Sequence, residues 1–258
     1  MAQVKLVRQT TSGVKTRVNE FFYKRRLPMV TTLTNFDPAG VRFEISNLVE
    51  SFRVLQHGGE TEYTAAMLQD LRPDDVLFDV GANIGMVALH AAKICRTIAF
   101  EPDPSIQRRL KVNSELNPDR TFTLEPIAVS DADGSVVLYT DGDDGNSPSL
   151  VHQRGESGSV SVTARSLDSL MAEGRLPRPT VIKLDVEGAE ILVLRGANRL
   201  LTGADRPRAL FIEVHDTFLP GFGSSADEVN GLLKDFGYTN ALYCAERGDQ
   251  THLILHAS

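Results

Sequence analysis

The stretch Val76-Leu77-Phe78-Asp79-Val80-Gly81-Ala82-Asn83-Ile84-Gly85 constrains this chain more than any other. An apolar run closes on an acid, two glycines stand four positions apart, and a helical pattern over residues 86–94 follows at once. This predicts a buried strand, a tight loop and a helix start, the geometry by which α/β proteins hold nucleotide-like ligands. Gly81 lets the chain turn sharply off the strand and lets a ligand approach the main chain. Gly85 lets the helix pack close on the sheet. The spacing is not GxGxxG and no GK[ST] follows, so neither a pyrophosphate cradle nor a Walker loop is indicated.

Downstream, apolar runs alternate with helical patterns. Strands are expected at 76–80, 97–100, 122–129, 136–140, 181–184 and 209–214, and helices at 86–94, 106–116, 166–171, 189–201 and 226–236. Asp103 or Ser105 is the expected cap of the 106–116 helix. Residues 240–244 and 253–255 read as a closing hairpin, placing an antiparallel strand at an edge. Such alternation gives a mostly parallel sheet with helices on both faces. Upstream, residues 60–71 read as a helix, while 29–34, 41–45 and 52–55 read as strand-like runs. Residues 1–27 read as partly helical up to Pro28. Residues 141–160 are rich in Gly, Ser and Asp and read as a mobile loop.

Acids recur at the strand tips. Glu101, followed by Pro102, ends the second core strand, where a carboxylate can accept both hydroxyls of a ribose. The bland alternative is a helix-start acid. Asp185 and Glu187 follow the strand at 181–184, and Glu213 with His215 closes the strand at 209–214. Burial selects against so many acids unless they have partners or a task. The plainer alternative for His215 is a strand-end residue satisfied by local hydrogen bonds. Lys183, inside a strand, is expected to pair with a neighbouring carboxylate.

At this point the sequence resembles a family. Asp79-Val-Gly-Ala-Asn-Ile-Gly85, Phe100-Glu-Pro102, Ala128-Val-Ser-Asp131, Ser166-Leu-Asp168, Ile182-Lys-Leu-Asp-Val-Glu-Gly-Ala-Glu190 and Glu213-Val-His215 look like the FkbM-type S-adenosylmethionine-dependent methyltransferases. The resemblance spans roughly residues 60–216 and is most specific over 182–190. It implies a class I, Rossmann-like α/β fold with seven strands, the last antiparallel, over residues 59–258. Residues 1–58 become an extension placed to cap the substrate side. The implied cofactor is S-adenosylmethionine, with Asp79, Gly81, Ala82, Asn83 and Gly85 against its methionine part and Glu101, beside Pro102, on its ribose. Ala128, Val129 and Ser130 would border adenine, and Asp185 would face the sulfonium. The family mostly methylates hydroxyl oxygens on sugars, glycolipids and secondary metabolites, which implies a small-molecule or glycan-type acceptor.

An alcohol is a poor nucleophile until its proton leaves. His215 is the expected base, oriented by Glu213 or Asp216, with Asp185 and Glu187 as competitors. Asp185, Glu187, Glu213 and Asp216 are also the right ligand types for Mg²⁺. Nothing in the sequence shows that they converge, so no metal site is predicted. Two other classes stay open: an NAD-type oxidoreductase using Glu101, and a catalytically silent binding module.

Composition excludes several roles. A net charge of −7 argues against nucleic acid as a partner. The charge is uneven, +6 over residues 1–26 and −13 over the rest. The basic end reads as a solvated helix or, more sharply, as a weak contact with an anionic membrane surface. No apolar run approaches ~18 residues, so no transmembrane helix is expected. Nor does an apolar segment follow the basic N-terminus as in a secretory leader. Cys95 and Cys244, far apart in apolar contexts, read as buried thiols of a reducing, cytoplasmic compartment.

Overall fold

The computed structural model describes residues 27–56, 60–140, 149–151 and 158–258. The basic stretch 1–26, His57 and most of the 141–160 loop lie outside the described residues. The parallel core strands are β3 (Val76–Val80), β4 (Arg96–Phe100), β5 (Thr123–Glu125), β9 (Val181–Leu184) and β10 (Ala209–His215). They join the closing hairpin, β11 (Tyr238–Arg247) and β12 (Gln250–Ala257), in one seven-stranded sheet ordered β5-β4-β3-β9-β10-β12-β11. Strands β9 and β10 are buried along their whole length, as continuous apolar runs covered on both faces must be. β12 is antiparallel to both β10 and β11. The closing hairpin thus forms one edge of the sheet by antiparallel pairing, as expected; β11 is outermost, and inside it lies the last strand, β12. Its His252–Leu255 run is buried, whereas most of β11 is not, so burial puts β12 inward.

Helices α3 (Met86–Ala91), α4 (Pro104–Leu116), α6 (Glu190–Gly196), α7 (Asn198–Thr202) and α8 (Ala226–Asp235) cover the sheet, with α5 (Leu167–Glu173) before β9. Asp103 caps α4, accepting from the Ser105 amide at 2.7 Å. The single helix expected over 189–201 breaks after Gly196. There the backbone closes on Ser130, and a Cβ would stand 2.0 Å from the Ser130 carbonyl oxygen. The strand expected over 122–129 splits at Pro126 into β5 and β6 (Ala128–Val129). β6 joins β7 (Gly134–Thr140) and β8 (Gly158–Arg165) in a small sheet. Residues 158–160, read as loop, thus begin β8. Ser159, Ser161 and Thr163 face out and Val160, Val162 and Ala164 face in, a pattern masked by small polar residues.

The N-terminal part holds hairpin β1 (Met29–Leu33) and β2 (Val41–Ile45), then α1 (Leu48–Gln56) and α2 (Thr61–Asp70). Residues 52–55 are helical rather than strand-like. The Asn47 side chain accepts from the Glu50 amide, and Glu50 reaches back to the Ser46 amide, a reciprocal cap that starts α1. Val41, Phe43, Ile45 and Val54 share a core with Ile84, Leu89 and Ile106. Arg109 on α4 binds Glu44 and Glu50 at 2.6 and 2.7 Å, locking this segment to the main body. Both cysteines are free; Cys95 is buried as expected, but Cys244 is half-buried.

Candidate active site

The chain turns to opposite sides of the sheet after β3 and β9, so a crevice opens above their carboxyl ends, the usual ligand site of such sheets. Gly81 turns off β3 with φ +79°. A Cβ on it would stand 1.9 Å from the Asp185 carbonyl oxygen, so only glycine lets the β3 and β9 tips approach. Asn83 follows in the left-handed region and donates its amide to Glu101 Oε2 at 2.9 Å. The Asp103 amide donates to Glu101 Oε1 at 2.9 Å. Both carboxylate oxygens are thereby aimed, while burial raises the Glu101 pKa to about 7.

Glu101 and Pro102 wall a narrow cleft of about 70 Å³ whose other side is apolar: Val80, Ile127, Ala128, Val129 and Leu138. A second cavity, about 260 Å³, has mixed walls: Glu60, Lys183, Glu213, Arg247 and Gln250 on one hand, and Phe52, Tyr63, Met67 and Val87 on the other. Arg53, Gly81, Asn83, Asp185 and Glu187 line both spaces. Glu187 is held at φ +51° just before Gly188, itself at φ +96° where a Cβ would meet Phe218.

Three sequence-predicted residues stand behind this surface. Asp79 is fully buried and lines neither space, so its expected contact with a ligand is corrected. It faces Lys183 across the β3–β9 register, and the two form an ion pair of 3.1 Å. Lys183 also donates to the Gly81 carbonyl and approaches Asp185 at 3.4 Å, tying the loop to both acids. Burial works against its charge, but Asp79 and Asp185 hold its ammonium above the usual lysine range. Ser130 is also buried away from the cleft, its amide donating to the Arg165 carbonyl and its hydroxyl to Asp131. Gly85 caps α3 in a left-handed conformation and packs on Leu110.

His215 requires a second correction. It is 1% exposed, and its orienting partner is neither Glu213 nor Asp216 but Glu190, 2.7 Å from Nδ1. Asp216 is exposed. Nε2 faces Glu187 at 3.4 Å, Glu213 at 3.5 Å and Asp185 at 3.9 Å. Burial opposes its charge, yet the Glu190 bond and the surrounding carboxylates raise its pKa to about 10. An imidazole already carrying its proton is no base at neutral pH. Burial and Asp185 raise Glu213 to about 8, and burial with Glu213 raises Glu60 to about 7. His252, opposite Glu213 in the β10–β12 register, brings Nε2 to 3.3 Å from it. Asp185, Glu187 and His215 form one cluster of potential ligand atoms within 4.8 Å of one another, and Glu60, Glu213 and His252 another.

Sequence reasoning missed Glu60, Arg53, Arg247 and Gln250, which reach the site from elements remote in the chain. Glu190 carried a signal, as an acid opening a helix next to a strand-tip motif, but its partner was not legible.

The sequence profile of the methyltransferase FkbM domain matches residues 79–239, which takes in all four strand tips. The chain belongs to the FkbM methyltransferase family. It is 30% identical over 190 residues to the hexuronic acid methyltransferase AglP of Haloferax volcanii, covering 74% of this chain and 75% of the relative. Identity is 28% over 248 residues to the 31-O-demethyl-FK506 methyltransferase FkbM of Streptomyces tacrolimicus, covering 83% of this chain and 88% of that one. Among solved structures, a methyltransferase FkbM from Methylobacillus flagellatus KT superposes with a TM-score of 0.51 at 19% identity, covering 81% of this chain and 52% of the other, a likeness of fold. This member of the FkbM family is thus an S-adenosylmethionine-dependent methyltransferase with a class I fold, and the oxidoreductase and silent-module alternatives fall away. Among the described residues no helix is long and apolar enough to cross a membrane.

Proposed function

We propose that this methyltransferase transfers its methyl group to a hydroxyl oxygen of a sugar-like acceptor. The observation that carries the reading is the pair of adjoining cavities that share one wall of acids. The narrow cleft suits an adenosyl group: an apolar slot at Ala128 and Val129 for the base, and a doubly anchored carboxylate at Glu101 for the ribose diol. The wider cavity, rich in carboxylate, amide and guanidinium groups, suits a hydroxyl-rich molecule. Asp185 and Glu187 stand on the shared wall, where the two reactants would meet. Of the two relatives, the name of the hexuronic acid methyltransferase supports a sugar-like acceptor, and that of the 31-O-demethyl-FK506 methyltransferase supports transfer to oxygen.

When bound, S-adenosylmethionine supplies a methyl carbon on a cationic sulfur, which leaves as a neutral thioether with the electrons of the broken C–S bond. The chain's residues orient and deprotonate. Gly81 and Asn83 fix the loop, and Glu101 fixes the cofactor end. Asp185 or Glu187 takes the hydroxyl proton as the oxygen bonds to carbon. Alignment of this kind is worth about 7–11 kcal/mol of the barrier. A positioned base adds about 10²–10⁴-fold.

Tritiated S-adenosylmethionine and a panel of hexoses, hexuronic acids and their glycosides test the reading. The expected product is a methyl ether that retains its label in mild base. Label released by mild base would mark a methyl ester and contradict transfer to a hydroxyl.

A further inference from the structure

Acids in a cavity wall do not make an ion site on their own; His215 supplies the deciding observation. Its Nδ1 is engaged by Glu190, a carboxylate that is itself fully buried and fixed by the Gly188 amide at 3.0 Å. Among the described residues its Nε2 has no hydrogen-bond partner, although the ring is 1% exposed. That nitrogen points into the space between Glu187 Oε2 at 3.4 Å and Asp185 Oδ1 at 3.9 Å. Donor atoms around an ion at about 2.1 Å stand about 3–4 Å from one another, the spacing found here. A carboxylate behind the far nitrogen is the arrangement that fixes ring orientation in metal-ligating histidines. Asp185 divides its oxygens accordingly: Oδ2 approaches Lys183 at 3.4 Å, and Oδ1 faces His215.

We propose that Asp185, Glu187 and His215 bind one divalent transition-metal cation on the wall shared by the two cavities, the ion displacing the His215 Nε2 proton to solvent. One imidazole with two carboxylates suits the Mn²⁺ and Fe²⁺ class. The ion's role rests on the hydroxyl-transfer reading: it ligates the acceptor oxygen and lowers the pKa of its proton. With Asp185 and Glu187 engaged, Glu213, 3.5 Å from His215 Nε2, is the carboxylate left in reach; the charge of the bound ion beside it favours its ionised form, which takes that proton. The oxygen then forms its bond to the methyl carbon, as in the metal-free scheme.

The test uses the full chain, stripped with a chelator and titrated with MnCl₂, free Mn²⁺ being read by electron paramagnetic resonance. Saturable binding of one ion per chain is expected. Asp185→Asn and Glu187→Gln, which keep side-chain shape and are checked for folding by circular dichroism, should each weaken it at least tenfold. Glu190→Gln, acting through His215, should weaken it about 10–100-fold. Glu101→Gln should bind Mn²⁺ like the wild type while losing affinity for S-adenosylhomocysteine. No saturable binding, or binding that Asp185→Asn and Glu187→Gln leave intact, overturns the site. Mn²⁺ binding without hydroxyl methylation would leave the ion site standing and remove the acceptor reading, so the two failures are distinguishable.

Discussion

Glu101 is anchored by two amides yet buried enough that its pKa rises to about 7. Ribose hydroxyls donate to the ionised form, so affinity for S-adenosylhomocysteine should climb as pH rises from 6 to 8. Calorimetry should show proton release on binding, and Glu101→Gln should flatten the slope and weaken binding about tenfold or more. The same shift has the opposite sign for folding. A carboxyl whose pKa is raised in the native state adds stability below about pH 4.5, and that contribution is lost as pH climbs through about 7. Lys183 gives a second residue-scale prediction. Lys183→Met leaves Asp79 buried without its cation and should cost about 3–5 kcal/mol in urea unfolding, partly recovered by adding Asp79→Asn. Strand-tip acids were legible in the sequence because chemistry and backbone position sit in the same few residues. The role of His215 was misread because it depends on Glu190, a partner 25 positions away that spacing alone cannot assign.

The loop after β3 and the clamp on β2 are the elements on which the site depends. Gly81→Ala forces a Cβ onto the Asp185 carbonyl in a left-handed backbone, and should destabilise by about 2–5 kcal/mol while abolishing cofactor binding. Arg109→Met removes the cation that holds Glu44 and the buried Glu50, and should cost about 2 kcal/mol. Faster amide exchange should then appear across β1, β2 and α1 and not in the parallel core, because Glu44 and Glu50 both belong to that segment. The core strands were readable because parallel strands must be apolar throughout. α1 was misread because its apolar residues fit either period and the Asn47–Glu50 cap decided the matter. β8 was hidden by alternating serines, which satisfy the pleat without looking like a strand.

At the scale of the molecule, local patterns predicted the alternation of strands and helices and the family resemblance implied seven strands, but neither said which cavity lies beside which. Glu60, Arg247 and Gln250 meet across the sheet only after folding, so no window of sequence contains the acceptor space. The central claim is that an adenosyl group occupies the narrow cleft and the acceptor the wider one, with Asp185 and Glu187 between them. A crystal structure of the protein with S-adenosylhomocysteine tests it most directly. The account predicts adenine against Ala128 and Val129, both ribose hydroxyls on Glu101, and the sulfur opening toward Asp185. Ribose hydroxyls bound away from Glu101, or a sulfur facing away from the wider cavity, would contradict it.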